Sequence, residues 1–235
     1  MRPIGFSTGA LAYADFHRGI HMSRRVPVQA IELSALRQNE LVPLLDALNG
    51  LDLAGFEYIS IHAPSQFDPK WEATLRDRLR DELWRGWPIV LHPDALCDFS
   101  LWRELGSAVC IENMDKRKPI GRSARELATI FDQLPDAKFC FDIGHARQFD
   151  PTMTEAYLIL REFGSRLRQV HVSEVNTRSK HDPLSFASIL AFQEVAHLIP
   201  PGVPLILEFP VTENEMEFEI ARVRKALPAS QVIAG

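Results

Sequence analysis

The sequence predicts a (β/α)8 barrel, an α/β fold, on three observations. Eight short apolar runs alternate strictly with eight segments of helical periodicity, the pattern of parallel strands joined by right-handed crossover helices. Seven of the eight runs carry a side chain that can hold a metal or move a proton, and such strand ends converge on one point if the sheet closes on itself. The length of 235 residues suits one barrel with short loops. A doubly wound open sheet is the alternative, but it would not gather ligands from seven strands onto one centre. Residues 1–235 are accordingly read as a single barrel domain.

The first run, IGFS at 4–7, precedes a helical segment over about 15–23. AIELS, carrying Glu32, precedes 38–48, and YISIH, ending at His62, precedes 71–85. PIVLH ends at His92 before 98–105, and AVCIE ends at Glu112 before 123–134. KFCFD ends at Asp142 before 154–166, RQVHV encloses His171 before 184–199, and PLILE ends at Glu208 before 213–226. Ser123 followed by Glu126 has the form of a capping box at the fifth helix, and Thr154, just after Pro151, is expected to cap the sixth. Pro200-Pro201-Gly202 reads as the turn into the eighth strand.

An apolar fraction of 46%, with four Trp and fourteen Phe, is enough to bury a full core. The formal charge of −5 leaves no basic footprint, which disfavours tight binding to a nucleic-acid backbone. The amino terminus lacks the plan of a signal peptide, and no apolar run approaches the roughly 18 residues of a membrane span, so a cytoplasmic protein is the default expectation. Whether it forms a homo-oligomer is left open. Cys97, Cys110 and Cys140 are odd in number and lack C-x-x-C spacing, so neither a disulfide framework nor a zinc knuckle is indicated. Cys110 and Cys140 stand two residues before Glu112 and Asp142, which places them on the same face one layer deeper, as buried fillers.

Glu112, Asp142, His171 and Glu208 end the last four strands, and three carboxylates with one imidazole suit Mn, Mg, Co or Zn with positions left open for water. His62, His92, His145 and His181 add imidazoles around the same mouth, which favours zinc or a multinuclear centre. The residues two places earlier, Ala30, Ser60, Val90, Cys110 and Cys140, are small or neutral, so a charged layer would lie over a compact floor. One shared polar site accounts for that layer best, because unpaired buried charges are costly. Glu32 either lines the site or braces a loop beside it. His17 and His21, spaced i, i+4, read as an exposed helical face, and His197 as a helix residue without a site role.

The strand endings S-I-H-A-P, V-L-H-P, I-E-N, F-D-I-G-H-A, V-H-V-S-E and I-L-E resemble, in order and spacing, those of the xylose isomerase-like barrel superfamily. That group contains sugar isomerases and epimerases as well as DNA-repair enzymes of the endonuclease IV type. Set against the endonuclease IV pattern of three zinc ions, His62, His92, Glu112, Asp142, His145, His171, His181 and Glu208 all match ligand positions. The Asp that the pattern carries two residues before the last His is Ser179 here, and Asp182 follows His181 instead. Set against the ketose epimerase pattern, Glu112, Asp142, His171 and Glu208 match the metal set, His145 looks like a substrate-oxygen ligand, and H-V-S-E-V-N-T-R resembles, with one extra residue before Arg178, the segment H-x-x-E-x-N-R whose Arg contacts substrate. The glycine-rich stretch usual after that segment is replaced by H-D-P-L-S.

Three functions follow. The first is isomerisation or epimerisation of a small sugar or polyol ketone, in which Glu112 and Glu208 abstract and return a proton through an enediolate, and His62, His92, His145 and Arg178 hold substrate oxygens. The second is hydrolysis of a phosphate ester by two or three zinc ions, with Glu112 bridging near His62, His92 and His145. The acidic charge and short loops oppose a DNA substrate but not a small phosphorylated one. The third, a catalytically silent metal-binding domain, leaves both candidate carboxylate catalysts without a purpose. The first is ranked above the second.

Overall fold

Strand pairing closes on itself in the computed structural model, which describes residues 2–229. The barrel strands are β1 (Ile4–Ser7), β2 (Ala30–Ser34), β3 (Tyr58–His62), β4 (Ile89–Leu91), β5 (Val109–Glu112), β6 (Lys138–Asp142), β7 (Leu167–Val172) and, after a small hairpin β8 (Glu174–Val175) and β9 (His181–Asp182), β10 (Leu205–Leu207). They pair in parallel in the order β1, β10, β7, β6, β5, β4, β3, β2, the closed (β/α)8 barrel that the alternation predicts.

The alternation of side chains across each strand splits the interior in two. In KFCFD, Phe139 and Phe141 point outward into the apolar layer shared with the helices, while Cys140 points inward and packs with Val90 and Cys110 in a separate cluster. Full burial of each such Phe is worth about 1.5–3 kcal/mol. Burial also pushes the Cys110 and Cys140 thiols upward, which disfavours the reactive thiolate. Of the four Trp only Trp102 is fully buried, and Trp84 is largely exposed, so the core draws less on tryptophan than composition suggests.

The outer layer contains α1 (Thr8–Ala12), α2 (Phe16–Ser23), α3 (Gln38–Ala47), α4 (Glu72–Arg80), α5 (Ala124–Gln133), α6 (Ile143–Phe149), α7 (Thr154–Phe163), α8 (Phe186–Val195) and α9 (Met216–Ala226). Seven of the eight predicted helical segments are present as α-helices. The segment predicted over 98–105 is instead a 3-10 run, Phe99–Ala108, broken by Gly106 at φ 52°. Its start is tied down by buried Glu72, whose Oε1 accepts from the Cys97 N–H at 2.9 Å and from Trp102 Nε1 at 3.0 Å. Ser123 Oγ caps α5 by accepting from the Glu126 N–H, whereas the Glu126 carboxylate binds the Arg122 N–H rather than closing a reciprocal box. Thr154 does not cap α7. It is the first helical residue, and Asp150 Oδ2 accepts from the Glu155 N–H at 2.8 Å in its place.

Among the described residues no helix is long and apolar enough to cross a membrane.

Candidate metal centre

β5, β6, β7 and the residue after β10 deliver Glu112, Asp142, His171 and Glu208 to the carboxyl end of the barrel, where they form one donor group with ligand atoms within 4.8 Å of one another. Glu112, Asp142 and His171 are fully buried. His171 Nδ1 stands 3.1 Å from Glu208 Oε2 and 3.5 Å from Glu112 Oε2. Glu112 Oε1, Asp142 Oδ2 and His171 Nδ1 are buried without a hydrogen-bond partner among the described residues. Buried polar atoms left unpaired are costly and rare, and a divalent ion would satisfy all three at once.

Four further groups share members with this quartet. His62, His92 and Glu112 form one and Asp142, His145 and His181 another; Cys140 completes a third with Glu112 and His171, and Glu32 a fourth with His62, His171 and Glu208. His62 Nε2 and His92 Nε2 each lie 3.3 Å from Glu112 Oε2. His62 donates from Nδ1 to the Ala63 carbonyl at 2.8 Å, and His145 donates from Nδ1 to the Asn113 carbonyl at 2.9 Å. A carbonyl only accepts, so in their neutral form both rings carry the proton on Nδ1 and leave Nε2 free to ligate, the usual arrangement around metal-binding histidines.

The local sequence explains the placement of Asp142 and His145. Asn113 donates from Nδ2 to the Asp142 carbonyl and accepts the Asp142 N–H at Oδ1, both at 2.8 Å, so β5 clamps the end of β6. Asp142 then caps α6, accepting the His145 N–H at 2.6 Å. A Cβ on Gly144 would stand 2.5 Å from the Ser173 carbonyl oxygen, so only glycine lets α6 approach β7 this closely. Asn113 and Gly144 are visible in I-E-N and F-D-I-G-H, but sequence reasoning gave them no task. The short α1 and α6 also escaped it, being too brief for periodicity to register.

Electrostatics at the centre is that of carboxylates held near imidazoles. Burial works to lower His62, yet its hydrogen bond to Glu112 and the charges of Glu32, Glu112 and Glu208 outweigh it and raise its pKa to about 9. For His145, burial is likewise overcome, chiefly by Asp142 and Glu112, and the pKa rises to about 10. Burial alone would raise Glu208, but His171 holds it down to about 2. Burial together with the Glu112 charge pushes Asp142 up, against the pull of His145. Protons on the imidazoles therefore supply positive charge that ions would otherwise bring.

Glu32 departs from the expected phase. The β2–β3 register pairs Ser34 with His62 and Glu32 with Ser60, so Glu32 belongs to the layer beneath the mouth. It is fully buried and braces the site from below, its Oε2 lying 3.0 Å from His171 Nε2. Arg178, expected at the substrate, is exposed, with its backbone N–H donating to Asn176 Oδ1 at 2.8 Å. Lys180 on the same hairpin lines the cavity instead. Asp182 is exposed on the rim, where Oδ2 accepts from Asn176 Nδ2 at 2.7 Å, and Ser179 Oγ accepts from Gln148 Nε2 at 2.9 Å. Neither belongs to a donor group among the described residues, and Asp142 completes the group of His145 and His181. His17, His21 and His197 are exposed.

Above the donor groups opens a cavity of about 580 Å³, walled by Ser7, Tyr13, His62, His92, Lys180 and Glu208 among others. That volume admits a small polar molecule.

The profile of the xylose isomerase-like TIM barrel family matches residues 95–227. No curated protein matches the sequence. Among solved structures, endonuclease IV from Thermus thermophilus superposes with a TM-score of 0.61 at 19% identity, over 96% of this chain and 98% of that one. D-psicose 3-epimerase in the presence of D-fructose superposes with a TM-score of 0.66 at 13% identity, over 96% and 99%. For 3-keto-D-glucoside 4-epimerase from E. coli the TM-score is 0.59 at 11% identity, over 96% and 99%. At such identities the likeness is one of fold.

Proposed function

The chain belongs to the xylose isomerase-like TIM barrel family, and within it we propose a metal-dependent phosphoesterase that acts on a small phosphorylated substrate. The observation that carries this reading is the pair His62 and His92, both aimed at one oxygen of Glu112 from outside the quartet. Such a group is built for a second ion rather than for contacts around a single one. The sequence alone ranks proton transfer first, and the convergence of His62 and His92 on one oxygen of Glu112 is what reverses the order in this reading.

These donor groups would hold divalent ions, which when bound would supply Lewis-acid stabilisation of a phosphoryl group and acidify water. Glu112 would bridge two donor groups, and Asp142 would join the second to the third. Glu208, with 13% of its side chain exposed against 1% for Glu112, is the carboxylate placed to accept a proton as a base at the cavity. Mixed imidazole and carboxylate donors fit zinc, with Mn or Co as further candidates. The formal charge of −5 disfavours a long polyanion, so a small ester is the better substrate. Elemental analysis of the purified protein should give two or three ions per chain, and the zinc-loaded protein should release p-nitrophenol from a p-nitrophenyl phosphate mono- or diester. One ion per chain with no ester cleavage would overturn the proposal.

Isomerisation or epimerisation of a small sugar is the second reading, favoured by one observation. Glu112 and Glu208 flank the same nitrogen, His171 Nδ1, in unequal environments, which suits a divided acid and base duty. His62, His92 and His145 would then hold substrate oxygens. Exchange of solvent deuterium into ketoses such as D-fructose, with one ion per chain, would favour it.

A further inference from the structure

At the floor of the site, within reach of His62, His171 and Glu208, Glu32 Oε2 collects three donors. Ser60 Oγ donates to it at 3.2 Å and Gln169 Nε2 at 2.7 Å, and His171 Nε2 lies 3.0 Å away. Glu32 sits on β2 and His171 on β7, which are not neighbours in the barrel, so the contact crosses the lumen. Glu32, Ser60, Gln169 and His171 are all fully buried. Tyr58 fixes the Gln169 amide by donating its hydroxyl to Oε1 at 2.6 Å, which turns the NH2 group toward Glu32 and His171.

We infer that Glu32 is a positioning residue that selects the tautomer of His171, holding its proton on Nε2 so that Nδ1 faces the donor groups with a free lone pair. The need for it lies in Gln169. Its Nε2 is 2.7 Å from His171 Nε2 as well as from Glu32 Oε2. Without the carboxylate, the amide N–H would find its acceptor in the imidazole Nε2. The ring proton would then move to Nδ1, toward Glu208 and Glu112, and His171 would be lost as a ligand. With the carboxylate present, both N–H groups donate to the same anion and the ligating tautomer is fixed. Carboxylate partners of this kind also raise the basicity of the imidazole.

The inference rests on the metal-binding part of the proposed function and not on the reaction. Its test is zinc affinity by chelator competition, with ion count at saturation, the visible spectrum of the Co(II)-loaded protein, and urea unfolding of the metal-free protein. Glu32→Ala should weaken zinc binding by roughly 10–100-fold and change the Co(II) spectrum. Glu32→Gln, nearly isosteric and still able to accept, should weaken it less. Gln169→Met in the Glu32→Ala background removes the competing donor and should recover part of the lost affinity, even where the metal-free double variant unfolds at lower urea. A purely structural floor would give no such recovery.

Unchanged zinc affinity in Glu32→Ala overturns the inference. So does a double variant no tighter than the single one, or the loss of one whole equivalent of zinc with the rest unaffected, which would make Glu32 a ligand itself. Should Glu32→Ala fail to fold, unchanged affinity and spectrum in Glu32→Gln overturn it equally. Wild-type protein that takes up no divalent ion overturns this inference and the proposed function together, whereas failure of the variants in an ion-loaded protein leaves the proposed function standing.

Discussion

His62 Nε2 and His92 Nε2 converge on a single carboxylate oxygen, each standing 3.3 Å from Glu112 Oε2 with their rings edge to face. His62 has its Nδ1 proton committed to the Ala63 carbonyl. A neutral His62 therefore turns a lone pair, not a proton, toward the carboxylate. Two like-signed electron pairs at that distance repel unless a cation lies between them, either a proton or a metal ion. His92→Ala should lower the number of zinc ions per chain by one, measured by elemental analysis, and leave the ion of the quartet in place. An unchanged count would make His92 a substrate contact and favour the isomerase reading.

Glu208→Gln keeps an oxygen donor but is no longer an anionic base that can accept a proton. Turnover should fall roughly 10²–10⁴-fold, with the ion count at saturating zinc unchanged. Steady-state rates on p-nitrophenyl phosphate esters, or on ketoses if the exchange assay is positive, provide the check. Full activity would remove Glu208 from catalysis.

The metal-free protein should lose stability as the solution turns alkaline. His62 and His145, raised from 6.5 to about 9 and about 10, hold protons more tightly folded than unfolded. Their contribution is fully present below pH 6.5 and is lost as pH rises through those values. Glu208, lowered from 4.5 to about 2, contributes above 4.5 and loses that contribution as pH falls toward 2. Urea midpoints in the presence of a chelator should therefore decline from about pH 6.5 to 10. With zinc the trend over about pH 6–8 should reverse, because the ions bind deprotonated imidazoles and are displaced by protons.

How much of this was legible in the sequence depends on the distance over which each residue acts. His62, Glu112 and Asp142 could be read because a strand has a period of two, and its final inward residue is fixed by the run itself. Asn113 was within reach, since its partner is Asp142 at the end of the adjacent strand. Glu32 was not, because the barrel register, set by pairing of Ser34 with His62, drops it one layer below the mouth. Its partner His171 lies 139 residues away across the closed lumen. Arg178 and Lys180 differ only by where the hairpin turns. Ser179 adopts φ 52° there, a conformation that residue type does not announce.

Asn113→Ala tests whether the backbone clamp between β5 and β6 holds a ligand in place. The side chain is fully buried and spends both its donor and its acceptor on the backbone of Asp142, so alanine strands one N–H and one C=O in the barrel interior. Leaving buried groups unpaired is the expensive part of losing a hydrogen bond, and the two together should cost about 2–4 kcal/mol of stability. The Asn113 carbonyl that orients His145 is main chain and survives the substitution. Asp142, however, would lose the clamp while still capping α6, so its carboxylate should drift with the helix. Zinc affinity should fall in the two groups that contain Asp142 and hold in the group of His62, His92 and Glu112. Chelator titration of the variant should then resolve one tight and one or two weakened ions. Uniform weakening of every ion would instead mean that the barrel mouth loosens as a whole.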